Sequence, residues 1–589
     1  MSCHSISALV RLGGWLLLTC LVLSGLYAPA GLASVCRVTT AGTAGGSGTW
    51  AAPMDLQSAL GNTACSEIWV KDGTYKPTTG TDRMVSFTLD RQVAVYGGFV
   101  GSETTQAQRD PAAHVSILSG DIGIASDASD NSYHVVYIVG DENNNIGNAT
   151  ILDGFTITDG NANAGSLPDF SGGGLLCLGE HAGGQCNPTL RQLRFVNNHA
   201  STYGGGIELY CWVDAASSPA MSDVQFINNS AGSSGGGMDR SSQCQAMFML
   251  ERATFDGNSA GDGGGMSLGT SNGVTLRDVS FIGNSASNEG GAMNNFSLDN
   301  IILDRVNFDG NSAGALGGAM YNLSSASGHT SVIDISNTTF NNNSALASGG
   351  HGQGGAMHNE AFGGGINLVM DTVTLSNNQA DFAGAIHNTD SYVGGNLSAT
   401  LGNVTFSNNS ATTSGRDMST SANYVPVSVV LRNVTIHSGS TGYYALINTS
   451  SGGGAVSLGL SNVILWDPTP SLPIINSGSA SVTQIDHSIV VRSNGSGSSW
   501  TTSLGTDGGG NLDADPLLGA LASNGGATQT MLPAAGSPAV DAGKAVTCAA
   551  VPVDNRDQRG GPRPHGPQCD IGAIEVGAVS ETIFANGFE

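Results

Sequence analysis

The amino-acid sequence predicts an all-β protein that folds as a right-handed parallel β-helix, and two observations carry this prediction. The first is an internal repeat of about 26 to 35 residues, in which a Phe-x-x-Asn element precedes a glycine-rich element ending in Met or Ile. The second is composition, because 86 of 589 residues are glycine, only 11% are charged, and the repeat contains no apolar stripe of helical length. Repeats of this period made of short strands stack into solenoids. The copies are Phe195–Ile207, Phe226–Met238, Phe255–Met266, Phe281–Met293, Phe308–Met320, Phe340–Met357 and Leu375–Ile386, with a weaker copy from Phe406.

Each repeat is predicted to contain two strands separated by turns. In the copy that begins at Val274, apolar and polar residues alternate up to Phe281, which indicates a strand with one face in the core. The alternation slips once, at Arg277-Asp278, as expected of a bend or bulge that reverses the facing of the side chains. A turn follows at residues 282–285, and Ala292-Met293 forms a short second strand.

Stacking of such units in register would align equivalent side chains into columns. A phenylalanine column would lie in the core, and an asparagine column would lie at a turn, where stacked amides donate and accept along the axis. Parallel pairing of about a dozen coils, each about 4.8 Å apart, would give a right-handed rod on the order of 60 Å long. Asn-x-Ser triplets at this turn also match N-glycosylation acceptors, but their recurrence favours the ladder. The predicted columns are Phe255, Phe281, Phe308 and Phe340, and Asn258, Asn284, Asn311 and Asn343.

Residues 1–33 are predicted to be a signal peptide. Arg11 supplies the positive charge, and the apolar run Trp15–Leu26 is too short to span a bilayer. Small residues follow as cleavage candidates, and Cys20 lies in the middle of the apolar run, which disfavours a lipoprotein site. The mature protein is therefore expected outside the cell or on the outer surface of a bacterium, with no transmembrane span.

Residues 34–145 differ from the repeats and are predicted to form an N-terminal cap and the first coils. Met54–Leu60 can form a short amphipathic helix, and strands are expected within Glu67–Tyr75 and Val93–Phe99. A helix at the open end of a solenoid protects its exposed edge. This pattern resembles the N-terminal cap of pectate-lyase-like β-helix proteins. The repeats and less regular coils then occupy residues 146–509.

Eight cysteines remain after residue 33, and all are predicted to be oxidised, because an even count in an exported chain indicates disulfides. No pair has the Cys-x-x-Cys spacing of a zinc site. Cys211 and Cys244 are about one repeat apart, so stacking should bring them together, whereas Cys177–Cys186 would close a loop inside one coil. The candidate pairs are Cys36 with Cys65, Cys177 with Cys186, Cys211 with Cys244, and Cys548 with Cys569.

The formal net charge of −26 disfavours nucleic acid and anionic membranes as partners. Lysine occurs only at Lys71, Lys76 and Lys544, so no basic cluster offsets this charge. The chain is expected to be a monomer whose partner is an extracellular glycan or a protein of a host or cell surface.

Two families resemble this chain. The Phe-x-x-Asn and Gly-Gly-Ala-Met elements, for example at residues 308–311 and 317–320, are similar to the repeats of chlamydial polymorphic outer-membrane proteins, which are surface β-helix adhesins. Those proteins end in a membrane β-barrel, which needs alternating segments of about ten residues, and the sequence after residue 510 supplies none.

The second resemblance covers residues 510–575 and is to the choice-of-anchor Q domain. It rests on the segments 515–519, 524–528, 536–543, 557–560 and 569–573. This family implies a C-terminal domain of secreted bacterial β-helix proteins that precedes an anchoring or sorting signal. Residues 576–589, which include Phe584 and Phe588, are accordingly expected to act as such a signal.

Candidate catalytic groups are sparse in the sequence. The segments at His351 and at Asn388-Thr389-Asp390 echo polygalacturonase motifs, but their order is reversed and the paired carboxylates of a hydrolase are missing. A lyase would need a base near Ca²⁺, yet the arginines are isolated. Three acidic turn residues could share a Ca²⁺, but the Gly-Gly-x-Gly-x-Asp repeat of Ca²⁺-binding solenoids is not repeated here. Those arginines are Arg240, Arg252, Arg277 and Arg305, and the acidic turn residues are Asp256, Asp262 and Asp309.

The sequence therefore favours a non-catalytic secreted or surface β-helix used in adhesion or cell-envelope interaction, with no catalytic, cofactor or metal residues assigned. The alternative is a carbohydrate-active enzyme, a polysaccharide lyase or glycoside hydrolase, of the pectate-lyase-like fold. A convergent Asp/Arg cluster in one groove would favour the enzyme, and a featureless stem would favour adhesion.

Overall fold

The right-handed parallel β-helix is confirmed. The computed structural model describes residues 34–244, 246–269, 272–437, 444–467, 472–478 and 482–578, and these form a β-solenoid of about 14 turns with almost no helix. The predicted signal peptide, and the predicted sorting signal from residue 579 onward, lie outside the described residues.

Three parallel sheets run along the solenoid. Sheet 1 has 22 strands: Val35–Val38, Glu67–Lys71, Gly73–Tyr75, Ala94–Phe99, Ser116–Ser119, Ile151–Asp153, Phe155–Thr158, Thr189–Arg191, Arg194–Val196, Ala220–Ile227, Phe248–Asp256, Val274–Ile282, Asn300–Asp309, Thr330–Asn341, Gly365–Ser376, Leu397–Ser407, Val427–His437, Val456–Ser461, Ile464–Leu465, Val482–Asp486, Ile489–Val490 and Thr506–Asp507. Sheet 2 has 13: Phe87–Leu89, Val136–Gly140, Leu175–Gly179, Ile207–Cys211, Met238–Arg240, Met266–Leu268, Met293–Phe296, Met320–Ser324, Met357–Phe362, Ile386–Tyr392, Met418–Ala422, Leu446–Ser450 and Ile474–Ser477. Sheet 3 has nine: Asn161–Ala162, His199–Ala200, Ser230–Ala231, Ser259–Ala260, Ser285–Ala286, Ser312–Ala313, Ser344–Ala345, Gln379–Phe382 and Ser410–Ser414.

Sheet 3 was not expected from the sequence. Ser285 was assigned to a turn, but Ser285–Ala286 is a two-residue strand that pairs with the same dipeptide in the next coil. Each regular coil therefore has three strands in the order sheet 1, sheet 3, sheet 2. A two-stranded pair, Gln185–Cys186 with Ala216–Ser217, lies beside them.

The bend predicted at Arg277-Asp278 is confirmed. Asp278 has a φ of 54°, and the flanking Leu276 and Val279 are both buried, so the facing reverses across it. Equivalent residues stack on the solvent side, where Arg305 donates to both Asp278 carboxylate oxygens at 2.6 and 3.0 Å. Because this ion pair is exposed, its contribution to stability is small.

The phenylalanine column is confirmed as core packing. Six rings stack from Phe195 to Phe340 with centroid distances between 4.4 and 5.2 Å and interplanar angles of 11° or less. The column includes the four predicted residues and two more, Phe195 and Phe226, and all six are fully buried.

The asparagine ladder is also confirmed and is longer than expected. From Asn198 to Asn378, each side-chain amide donates to the Oδ1 of the next ladder residue and to a backbone carbonyl of the preceding coil, so donors and acceptors are matched along the axis. Asn409 ends the ladder and donates to Asp417 instead. In the triplet Asn228-Asn229-Ser230 the ladder residue is the middle one, so the predicted coincidence of the triplets with the ladder position is wrong by one residue. The ladder comprises Asn198, Asn229, Asn258, Asn284, Asn311, Asn343, Asn378 and Asn409.

The glycines between sheets 3 and 2 let adjacent coils approach closely. A Cβ at Gly264 would lie 2.3 Å from the Ser285 carbonyl oxygen and 2.5 Å from that of Gly291. The preceding Gly263 has a φ of +58°, which favours glycine. The close contacts between coils and the positive φ thus require glycine in this half of the repeat.

The N-terminal cap follows the prediction closely. The helix Leu56–Gly61 buries Leu56, Ala59 and Leu60 in the solenoid core, and its N-cap Asp55 accepts from the Ser58 amide at 2.8 Å. Further short helical turns are Gln106–Gln108, Ala128–Asp130 and Thr502–Leu504. At the other end of the core, Trp500 and Leu504 join the same buried cluster.

The described residues after Asp507 fold back along the outside of sheet 1. They contain one short helix, Ala545–Cys548, and isolated antiparallel bridges. Ile571 and Ala539 pack on Ile464 and Ile489 of sheet 1. Residues 510–578 therefore cover the side of the later coils. They do not act as a cap that closes the last coil. We call them the C-terminal strap.

The four predicted cysteine pairs lie at disulfide distance. Cα–Cα separations are 5.5 Å for Cys36–Cys65, 5.8 Å for Cys177–Cys186, 5.2 Å for Cys211–Cys244 and 6.7 Å for Cys548–Cys569. As predicted, Cys211 and Cys244 belong to adjacent coils, and Cys177 and Cys186 to one coil.

Non-reducing peptide mapping should recover these four pairs and no free thiol at the eight positions, because the bonded sulfurs are buried and pre-aligned. A Cys211→Ser variant should leave Cys244 alkylatable after denaturation without changing the other three pairs. Alkylation of the native protein at any of the eight positions would contradict this expectation.

Candidate ligand-binding groove

The residues that echo polygalacturonase motifs do not form a site. His351 lies in an exposed turn, whereas Asp390 is fully buried and accepts from the backbone amides of Tyr424 at 2.6 Å and Val425 at 2.8 Å. Asp390 thus holds the start of the next turn. Asn388 belongs to a second, unpredicted asparagine ladder inside sheet 2, formed by Asn295, Asn322, Asn359 and Asn388.

The candidate cations and Ca²⁺ ligands are also dispersed. Arg252 and Arg305 belong to the exposed bend column, and Arg277 is exposed on sheet 1. Arg240 differs from these three, because it is buried and only 1% exposed. Its register with Leu209 and Leu268 places it on the core side of its strand, where the guanidinium donates to the Ala246 carbonyl.

The acidic turn residues proposed for Ca²⁺ do not stack. Asp256 and Asp309 both pair with Ile282, one from each side, so a whole coil separates them. Asp262 lies at the entry to sheet 2, away from both. Among the described ranges, no group of three or more metal-ligating side chains is assembled.

Polar side chains instead converge on the outer face of sheet 2. In each coil the core-facing Met or Ile that ends the glycine element is followed by a residue pointing outward. Parallel pairing stacks these residues into one column: Glu208, Asp239, Ser267, Asn294, Tyr321, His358 and His387. A line of ionisable groups therefore follows the solenoid axis.

Glu208 and Asp239 form a carboxyl pair at one end of this column. They are directly paired on adjacent strands and are 1% and 6% exposed, so two carboxyl groups stand side by side with little access to water. Burial and the neighbouring Asp239 raise the pKa of Glu208 well above its usual range. Burial raises the pKa of Asp239 to about 6 against hydrogen bonds from Ser234, at 2.6 Å, and Ser267.

A cavity of about 470 Å³ opens over the carboxyl pair. Phe170 and Tyr203, with ring centroids 6.2 Å apart, line one part of it, and Tyr210 lines another. A smaller cavity of about 120 Å³ shares Glu208 and Tyr210 and extends to Trp212. The volume of the larger cavity, and the mixed apolar and polar walls of both, are typical of small-molecule sites. We call the two cavities together the sheet-2 groove.

A second cluster lies farther along the same column. Glu360 accepts from Tyr321 at 2.8 Å and from the Ser391 hydroxyl, and its Oε2 lies 3.8 Å from His358 Nε2. The His358 and His387 rings are 5.0 Å apart, and burial lowers the pKa of each to about 3, so both are neutral at physiological pH.

Two more carboxyls connect the clusters. Burial, with the charges of Asp262 and Glu360, raises the pKa of Glu289 to about 7, and burial also raises the pKa of Asp262. Perturbed carboxyls that share one surface are a feature of functional sites. The outer face of sheet 2 is thus acidic from the sheet-2 groove to the second cluster. Among the described residues that line the larger cavity, Arg240 is the only cationic one.

The sequence reasoning missed this groove, although a usable pattern was present. The residue after Met or Ile varies from coil to coil, whereas the Met or Ile is fixed by the core. Reading that single position down the repeats gives Glu, Asp, Ser, Asn, Tyr, His and His. A polar, variable position at a constant place in a repeat identifies the outward face.

Comparison with known proteins gives no family for this chain. No protein-family model matches it, and no curated protein is similar enough to count as a relative. The resemblance to the choice-of-anchor Q domain therefore stays a prediction. Within the described ranges, none of the helices has the length and apolar character needed to cross a membrane.

Proposed function

We propose that this protein is a secreted or surface-exposed β-helix that binds an extracellular carbohydrate in the sheet-2 groove, as part of adhesion or cell-envelope interaction. The observation that carries the proposal is the groove itself, in which a buried carboxyl pair faces a cavity with aromatic walls. Aromatic rings offer flat apolar faces to a sugar ring, and carboxyls accept hydrogen bonds from its hydroxyls.

The disulfide-distance cysteine pairs support an oxidising, extracellular location. The C-terminal strap and the residues beyond it are assigned to placement of the protein at the cell surface, in line with the resemblance of residues 510–575. A rigid solenoid suits a stem that presents one lateral groove, and the protein is proposed to act as a monomer without a bound cofactor.

A carbohydrate-active enzyme is the second candidate, and the raised pKa values of Glu208, Asp239 and Glu289 favour it. A general acid must be protonated near neutral pH, and such carboxyls meet that need. The two carboxyls, however, stand on directly paired residues of adjacent strands, whereas the carboxyls of glycosidases flank the scissile bond at a separation of roughly 5 to 9.5 Å. Binding therefore ranks ahead of hydrolysis.

A glycan array with paired turnover assays on the purified protein tests both candidates. We expect retention of neutral or basic glycans, no retention of polygalacturonate or alginate, and no unsaturated products from either, because the acidic groove and the −26 formal charge repel polyanions. Loss of retention in a Tyr203→Ala variant, but not in Arg277→Ala on sheet 1, would place binding in the groove.

Product formation that depends on Glu208 or Asp239 would instead favour a carbohydrate-active enzyme as the function. Unsaturated products from an acidic glycan, lost on substitution of Arg277, would show that the site is not the sheet-2 groove. They would also show that the negative charge of the protein does not exclude polyanionic substrates. Absence of retention for every glycan tested would defeat the carbohydrate proposal.

A further inference from the structure

Within the described residues, no cationic side chain pairs with Glu208 or Asp239, the carboxyl pair of the sheet-2 groove. Arg240 is next to Asp239 in sequence, but strand alternation directs its side chain to the core, and its guanidinium donates to Ala246. No donor of the described chain reaches Glu208 Oε2, although this residue lines both cavities of the groove. A buried carboxylate is costly unless a cation or donors complete it.

Aromatic side chains line the same two cavities. Phe170 and Tyr203 meet edge to face, as do Tyr210 and Trp212, whose centroids are 6.5 Å apart. Tyr203 and Trp212 are 38% and 46% exposed, so their faces are accessible to a ligand. Aromatic faces around carboxylates attract ammonium groups, because the ring quadrupole and the carboxylate charge act on the same cation.

We propose that the groove over Glu208 and Asp239 binds a carbohydrate that carries a protonated amine, such as a glucosamine-type amino sugar. The ammonium group would donate to both carboxyls, while Tyr203 and Tyr210 would contact the sugar ring. Hydroxyls of the ring would meet polar side chains such as Ser241 and Gln243, which line the larger cavity. This inference rests on the proposed carbohydrate-binding function and names its ligand class.

Calorimetry with two tetrasaccharides tests this assignment. The glucosamine tetramer carries amines, and the N-acetylglucosamine tetramer has the same backbone without the charge. We expect the amine form to bind at least about tenfold more tightly, because only this form can make the ion pair and the cation–π contacts. Spermidine, an amine without a sugar ring, is expected to bind more weakly than the glucosamine tetramer.

Variants connect the preference to the carboxyl pair. Glu208→Gln and Asp239→Asn keep the side-chain shape and should each reduce the amine preference about tenfold. If a buried variant fails to fold, Tyr203→Ala tests the groove instead, because Tyr203 lies at an exposed position. Glu251→Gln on the outer face of sheet 1 is the matched control and should bind as the unchanged protein does.

Each result decides the assignment. Equal binding of both tetramers, or a preference that survives Glu208→Gln in a folded protein, would overturn the amine assignment and leave carbohydrate binding standing. Tighter binding of spermidine than of the glucosamine tetramer would overturn the amino-sugar assignment. Failure of both tetramers and of every array glycan would overturn the proposed function as well.

Discussion

Replacing Asn284 with alanine should lower the free energy of unfolding by about 3 to 6 kcal/mol, because it leaves several buried polar groups without partners. The Asn284 amide nitrogen donates to Asn311 Oδ1 at 3.0 Å and to the Phe255 carbonyl at 2.9 Å. Its own Oδ1 accepts from the Asn258 amide side chain and backbone at 2.9 and 3.0 Å. The ladder is fully buried here, so water cannot replace these bonds.

Ser287→Ala, three residues away at an exposed position just after the sheet-3 strand, is the matched control and should cost little. Denaturant unfolding measures the difference, and hydrogen exchange of the backbone amides should show increased opening first in the coils that contain Asn258 and Asn311. Equal stability of the two variants would mean that the ladder residues are replaceable, and that the phenylalanine column alone holds the coils in register.

The fold could be predicted from the sequence because its main determinants recur in every coil. The core phenylalanine, the turn asparagine and the glycines are each constrained by an identical neighbour above and below, so their positions repeat in the sequence. The bend at Asp278 was visible for the same reason. The two-residue strands of sheet 3 were missed because a Ser-Ala pair has no periodicity of its own.

The groove could not be predicted in the same way, because a binding surface depends on differences between coils. Glu208 and His387 occupy one structural column, yet they share no chemistry in the sequence. Arg240 shows the converse problem, since an arginine among polar residues indicates solvent exposure until the register places it beside two leucines. The arginines and aspartates singled out in the sequence do not converge on one groove, whereas Glu, Asp, Tyr and His side chains share the outer face of sheet 2.

The C-terminal strap was equally invisible, because its contacts join residues that are far apart in sequence. The outward column of sheet 1 reads Thr374, Thr405, Thr435, Ile464 and Ile489 in successive coils. The first three hydroxyls bond to the strap, and the two isoleucines pack on it. Local patterns along the strap contain no information about this face of the solenoid.

Gln558→Ala should detach part of the C-terminal strap from sheet 1 and lower its local stability by about 2 to 5 kcal/mol. Gln558 is fully buried, and its amide nitrogen donates to the Val373 carbonyl and the Thr374 hydroxyl, both at 3.0 Å. Its carbonyl oxygen accepts from the Thr405 hydroxyl at 2.6 Å. One side chain therefore connects the strap to two consecutive coils, and alanine can replace none of these bonds.

Limited proteolysis is the direct measurement, because cleavage of a transiently opened segment reports the population of the open form. The Gln558→Ala protein should be cut faster between residues 510 and 575, while the coils before Val373 keep their resistance. Gln568→Ala, at an exposed strap position, should behave as the unchanged protein does. If cleavage spread at once into the repeats, the strap and the solenoid would unfold as one cooperative unit. The strap would then be an integral wall of the later coils, and its proposed role in placement would have to reside in the residues that follow it.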